Sequence, residues 1–280
     1  MSRVIYNDTV GAVSLQSGVA DPGYPLSNLQ NDHPRKPFRT VGGNSCVLRV
    51  EEPGLASAFA IIKTNATSVT LEVIVPATYE WGEDESGFTI TAGEGYDGST
   101  VAWVDEEGVQ EAWRQTYDNW SGQDGILFAE FDPTSMSRTI DITLTAANDE
   151  YVSVGLLKGG ETLYFRDFEH DSFKCSSDDH ATEVELNDGS FYYQSARVLR
   201  KPSGYMVMYS GLQAKDPKGF DHYYDFMEKL WLPFGKTPMV WVLSEQGFEK
   251  NMFIGLDSEP IAVMHGREHK IVSLNFKERT

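Results

Sequence analysis

His265-Gly-Arg-Glu-His269 spells H-x-x-E-H, a pattern that can hold a zinc ion between two imidazoles and place a carboxylate beside it. That chemistry needs a helix, where residues four apart share a face. Gly266 inside the motif and alternating apolar residues on both sides argue for a strand-turn-strand instead. On a single extended strand the two histidines would stand roughly 13 Å apart, too far for one metal. Downstream, Glu278 is the sole carboxylate left to complete a ligand set. The match therefore reads as chance, and no metal ligand is assigned.

Gly155-Leu-Leu-Lys-Gly-Gly160 has the glycine spacing of a phosphate-binding loop, but Glu161 stands where the phosphate-binding lysine belongs. A carboxylate there repels a nucleotide, so the segment reads as a β-turn. No G-x-S-x-G elbow occurs, and Cys46 lies in an apolar strand-like run, which suits a buried inert thiol better than a nucleophile. Glu169-His-Asp171 and Asp178-Asp-His180 lack calcium-loop spacing and read as solvated acidic loops. Among so many acids, some pair of carboxylates always lies close, so a glycosidase reading gains nothing from it. No catalytic residue and no cofactor is assigned.

Aromatic residues offer the remaining chemistry. Trp81, Trp103, Trp113 and Trp120 fall between about 80 and 132, beside the acidic runs Glu83-Asp-Glu85 and Asp105-Glu-Glu107. Trp113, Tyr117 and Trp120 follow an i, i+4, i+7 spacing. Such rings either pack one or two helical turns onto a core, near Val109 to Tyr117, or present flat platforms to sugar rings. Trp81, Trp103, Trp113, Tyr117 and Trp120 are the candidate contacts for a partner or a glycan.

The elements that carry these residues are mostly strands. Val69–Val75, Thr139–Thr145, Cys46–Val50, Ala58–Ile62, Gly87–Thr91 and Tyr151–Leu157 alternate or run apolar between Gly, Pro, Asn and Asp clusters. No βαβ alternation is present. The pattern predicts a mainly β protein of two β-sandwich-like domains, at 1–160 and 161–280, with long loops at 80–132 in the first. In the second, Phe191–Leu199 and Tyr205–Gly211 read as strands joined at Lys201-Pro-Ser-Gly204. Phe220, Tyr223, Tyr224, Met227, Leu230 and Trp231 make one apolar stripe, predicting a helix at about 219–231 that Pro233 ends. Strands resume at 239–243, 252–255, 261–264 and 270–276.

The chain has 280 residues and a net charge of −19. That acidity excludes a phosphate-backbone footprint and docking on an anionic membrane. A hydrophobic content of 40% supports a packed core, and no apolar run approaches the ~20 residues of a membrane span. The first residues lack a secretory h-region, and two distant cysteines form no disulfide framework or zinc pair. The expectation is synthesis in a reducing cytoplasm, with both thiols free and the sequons at Asn7, Asn65 and Asn119 unused.

Tyr24-Pro-Leu-Ser-Asn-Leu-Gln-Asn-Asp-His-Pro-Arg-Lys-Pro-Phe-Arg-Thr40 resembles the opening of virion structural proteins of tailed bacteriophages, at Pro25, Asn28, Leu29, Pro34, Phe38 and Arg39. The second half, with a helix among strands and a closing stretch ending in Glu278, is similar to distal-tail and baseplate proteins. The resemblance implies a jelly-roll N-terminal domain and a noncatalytic structural role in the virion tail. It also implies a homo-oligomeric ring and partners among neighbouring tail proteins. Physically the segment suits a clasp, with Phe38 plugging the sandwich and Arg39 pairing with an acidic neighbour. The alternative is a carbohydrate-binding module that recognises host-surface glycans. A third reading is a hydrolase using metal or carboxylates.

Overall fold

The computed structural model describes residues 1–31, 33–52, 56–74, 114–117, 126–131, 138–147, 151–169, 171–179, 182–185, 191–194, 198–211, 216, 218–243 and 251–278. The protein is mainly β. Its strands in the first half are β1 (Ser2–Asp8), β2 (Val13–Ser17), β3 (Phe38–Arg39), β4 (Ser45–Glu52), β5 (Ala58–Thr64), β6 (Ala66–Ile74), β7 (Arg114–Tyr117), β8 (Ile126–Glu130) and β9 (Arg138–Ala146). Then come β10 (Ser153–Phe165), β11 (Lys174–Asp179), β12 (Thr182–Glu185), β13 (Phe191–Gln194) and β14 (Val198–Tyr209). Helix α1 (residues 223–234) precedes β15 (Met239–Val242), β16 (Asn251–Leu256), β17 (Ile261–His265) and β18 (His269–Glu278). Among the described residues no helix is long and apolar enough to cross a membrane.

Two compact units form, one from Asn7–Thr162 and one from Met1–Tyr6 with Leu163–Thr280. The sequence placed the first six residues in the N-terminal domain. They join the other unit because β1 pairs with β15 and its Val4 and Tyr6 enter the C-terminal core.

The Asn7–Thr162 unit is a sandwich. One antiparallel sheet runs β2-β4-β9-β6-β7; against it lie β8, β5 and the first part of β10, with β3 also on β10. Alternation decides which side chains meet in the middle. Leu48 and Val50 of β4, Ile140, Ile142 and Leu144 of β9, and Val69 and Leu71 of β6 face Phe59, Ile61, Leu127, Val154 and Leu157. Full burial of each such side chain contributes about 1.5–3 kcal/mol. On the outer face, Arg49 of β4 binds Asp141 of β9 with two 2.7 Å hydrogen bonds, which raise the guanidinium pKa further. The predicted helical turns near Val109 to Tyr117 give way to strand at Arg114–Tyr117, which pairs with β6 from Val69 to Glu72. The ladder to β6 overrides the helical spacing of the aromatics.

The segment 155–160 lies within one strand rather than a turn, paired with β5 from Leu156 to Gly160. Its glycines answer to close packing. A Cβ on Gly155 would stand 2.8 Å from the Ile62 carbonyl oxygen and 3.0 Å from that of Pro34. One on Gly159 would meet the Phe59 ring at 2.8 Å.

In the other unit the strand order is β11-β14-β18-β16-β15-β1, with β17 added to β18. β14 runs straight through Pro202-Ser-Gly204, where the sequence suggested a turn; Pro202 pairs with Cys175 of β11. The strand expected to precede that turn is β13, which pairs with β12 instead. Glu278, at the end of β18, is buried and takes hydrogen bonds from the Arg200 backbone N–H at 3.1 Å and its guanidinium at 2.8 and 3.2 Å. Helix α1 covers one sheet face with Phe226 and Leu230, packed among Trp241, Met206, Val272 and Phe276. It starts later than its apolar stripe, because His222 caps it: the His222 ring accepts from Tyr224 N–H, and Asp225 accepts from His222 N–H. It also runs past Pro233. A π turn at Phe226–Trp231 precedes a final α turn, Leu232–Phe234, which carries Pro233 near its start, where a missing N–H costs least. Gly235, at φ +53°, ends it.

Two outcomes follow from this packing. Gly155→Ala should lose about 1–3 kcal/mol in urea unfolding, since backbone carbonyls bound the space and cannot yield as a side chain would. Burial pushes the Cys46 thiol up to about 12, whereas Cys175 is exposed. A thiol reagent at pH 8 should label Cys175 in the folded protein and reach Cys46 only after unfolding.

Candidate functional site

β3 positions the most distinctive surface group of the Asn7–Thr162 unit. Pro37 leads the chain into a strand of two residues, and alternation sends neighbours to opposite sides. Phe38 goes inward and is fully buried. Arg39 goes outward, with its backbone N–H on Tyr24 O at 3.2 Å and its carbonyl accepting from Asp21 N at 2.9 Å. An Asx turn, in which Asp21 Oδ1 accepts from Gly23 N at 2.8 Å, brings Tyr24 back over the strand.

The Arg39 guanidinium carbon lies 4.2 Å from the Tyr24 ring centroid and 4.9 Å from that of Tyr151. All three residues are half-buried. The cation thus rests on two aromatic rings, each worth about 0.5–1 kcal/mol at such a site. The expected acidic partner is not what holds it: among the described residues no carboxylate pairs with Arg39, and its Nε is buried without a hydrogen-bond partner.

Tyr151 is held from both sides. Asn65 Nδ2 donates to Tyr151 O at 3.0 Å, and Asn65 Oδ1 accepts from Ser153 N at 2.7 Å. Thr40 Oγ1 accepts from Val152 N at 2.8 Å. Asn65 sits in the tight β5–β6 connection, where Lys63 adopts φ +55°. Arg35 and Lys36, in the turn just before β3, are exposed and add positive charge to this stretch of the chain.

Of the residues singled out in the sequence, Trp81, Trp103, Trp113 and Trp120 lie outside the described residues. Tyr117 is placed by its backbone, opposite Val69 in β7. His265 and His269 do come together, as directly opposed residues of the β17–β18 hairpin, so the separation expected on one strand does not apply. Gly266, at φ +74°, makes the turn. The strand-turn-strand reading of the motif is what forms. Among the described residues no group of three or more His, Cys, Asp or Glu is arranged to hold a metal. Ser172 N bonds Glu169 O in a surface turn, and Asp178 and Asp179 belong to β11.

A second aromatic group occupies the C-terminal unit. His222 stacks on Tyr224 with centroids 5.0 Å apart and meets Tyr209 edge-on at 5.3 Å. Lys270 Nζ lies 3.9 Å from the Tyr223 ring centroid. The His222 ring nitrogens are both engaged, Nδ1 by Tyr224 N–H and Nε2 by the Gly211 carbonyl at 2.8 Å, so this histidine serves the helix cap.

Sequence reasoning missed Tyr151 altogether, since nothing in its spacing links it to Tyr24 or Arg39. No family model matches the chain, and no curated protein matches it. Among solved structures it is similar to an F5/8 type C domain from Bacteroides fragilis, with a TM-score of 0.32, 18% identity, and 55% of this chain against 97% of that one covered. It is also similar to reduced XRCC1 bound to the DNA polymerase beta catalytic domain, with a TM-score of 0.31, 12% identity, and coverage of 56% and 98%. The CBM32-1 module from a family 31 glycoside hydrolase of Clostridium perfringens gives a TM-score of 0.30, 7% identity, and coverage of 56% and 99%.

Proposed function

We propose that the chain is a noncatalytic binding protein whose Asn7–Thr162 unit holds a carbohydrate against Tyr24, Arg39 and Tyr151. The observation that supports this is the state of Arg39. A carboxylate within about 4 Å would gain it ~4 kcal/mol of Coulomb energy near a surface. In a chain with 42 Asp and Glu, Arg39 is instead held by two rings. Among the described residues its charge is offset by no acid, and apart from the buried Nε its N–H donors are left for a ligand. Aromatic surface accepts the C–H face of a pyranose, and a planar guanidinium donates to hydroxyls or grips a carboxylate in a fork. Arg35 and Lys36 favour a sugar that carries a carboxylate.

A second reading is a structural component of a bacteriophage tail or baseplate, assembling with itself and with neighbouring tail proteins. It rests on the segment Tyr24–Thr40, and it is favoured by exposed apolar side chains on β17, the kind of surface that assemblies bury.

Titration calorimetry against neutral and uronic-acid oligosaccharides tests the first reading. Binding should favour the acidic sugars. Tyr151→Ala should weaken it at least ~10-fold, and Arg39→Lys, which keeps the charge but not the planar stack, should weaken it comparably. Equal binding by wild type and Tyr151→Ala, or none to any acidic sugar at about millimolar concentration, would remove the reading.

A further inference from the structure

On the outer face that carries Arg39, the Asn7–Thr162 unit also presents two exposed valines that its core does not use. The chain leaving β3 pairs with residues 19–21: Asp21 N bonds Arg39 O at 2.9 Å, Ala20 lies opposite Thr40, and Val41 N bonds Val19 O at 2.8 Å. Alternation sorts this short ladder into two faces. Thr40 is buried and Ala20 packs against the core. Val19 and Val41 therefore point outward with Arg39, and they are exposed by 62% and 42%. Val41 follows Arg39 by two residues, so the valine pair lies about 6.5 Å further along the strand. Tyr151 reaches the same face from the β10 side, next to Val152, whose carbonyl accepts from Thr40 N at 2.9 Å. Beyond the valines the surface is open: among the described residues nothing lies within 4 Å of where a Cβ on Gly42 or Gly43 would stand.

We infer that this site takes an acidic sugar that also carries an acetyl group. Its carboxylate meets Arg39, its ring lies against Tyr24 and Tyr151, and its acetyl methyl rests on Val19 and Val41. The inference deepens the carbohydrate reading and rests on it. Sugar hydroxyls lose hydration against aliphatic side chains and gain no hydrogen bond there, and an unsubstituted hexuronic acid has no methyl to offer them. A pyranose that bears a carboxylate on one side of its ring and an acetyl group on the other separates the two by about the width of the ring, which suits the step from Arg39 to the valines. The charge agrees as well. Arg39 supplies the cation, and Asp21, its neighbour across the ladder, has Oδ1 engaged by Gly23 N at 2.8 Å. The size of the patch selects the occupant. Two valine side chains fall far short of the ~800 Å² per partner that a stable protein contact buries, whereas they match a single methyl group.

Titration calorimetry on the full chain tests this, with a uronic-acid oligosaccharide set against counterparts acetylated on nitrogen and on oxygen. An acetylated sugar should bind about five- to tenfold more tightly than the plain one. In the Val19→Ser, Val41→Ser double variant that ratio should fall to about one. Both side chains are exposed, so the circular dichroism spectrum should keep its wild-type form. Isotope-filtered NMR supplies a second readout, in which the acetyl protons should show nuclear Overhauser contacts to the methyl groups of Val19 and Val41. Wild-type protein that binds plain and acetylated acidic sugars equally overturns the inference and leaves the carbohydrate reading standing. So does an acetyl preference that survives the double valine exchange. If no acidic sugar binds at all, both readings fall together.

Discussion

Phe38 is fully buried between the two sheets of the Asn7–Thr162 unit, and that burial turns Arg39 outward. A strand gives its side chains no freedom to choose sides; if one of two neighbours fills the core, the other faces away. The rest of the region is arranged around this. Tyr24 is folded back by the turn at Asp21 and tied to β3 through its carbonyl. Tyr151 is brought in from the start of the β10 segment by Asn65 and Thr40. A side chain with five donors and a fixed charge ends up on aromatic rings rather than on an acid. The two rings compensate part of the cation's lost hydration, which is why the position tolerates the absence of a carboxylate.

The C-terminal unit solves a different problem. Its sheet has one face covered by α1, through Phe226 and Leu230. β14 and β18 share a long ladder, so their outward residues are shielded by one another. β17 has a neighbour on one side only, and its apolar side chains stay open. Two of this unit's buried acids are paired with arginines. Arg166 binds the buried Asp216, and Arg200 binds the buried Glu278 with a fork of hydrogen bonds. Removing one partner of either pair would leave a charge with much of its water already stripped away.

Three chemical motifs lose their meaning in the folded chain for one common reason. The glycine-rich segment near residue 155 is a strand whose glycines admit a neighbouring backbone and a ring, so no loop cradles a phosphate. His265 and His269 flank a hairpin turn, without the helix that a zinc site of that spacing uses. Cys46 lies in the core, where a thiolate would be unsolvated. A motif records residue types and spacing. The chemistry depends on the backbone that spaces them.

Period two was legible in the sequence because a half-buried strand must alternate. The mainly β character, β4, β5, β9 and the closing strands follow from that rule and from turn residues between them. The inward place of Phe38 was expected from the clasp reading of its segment, as a large apolar side chain favours the core. The apolar stripe of α1 was also legible, though its ends were not, because His222 and the π turn act through hydrogen bonds that no periodicity encodes. Tertiary structure alone decided that residues 1–6 pair with β15, that β14 runs through a proline and a glycine, and that 114–117 form strand. Each depends on a partner strand distant in sequence. The candidate site is of the same kind. Tyr24 and Arg39 lie close along the chain, yet Tyr151 joins them only because Ser153 and Val154 of β10 hydrogen-bond alongside β3. Strand alternation is a local rule and can be read from one segment. Which strands become neighbours is settled by burying both sheets' apolar faces at once, and that requires the whole chain.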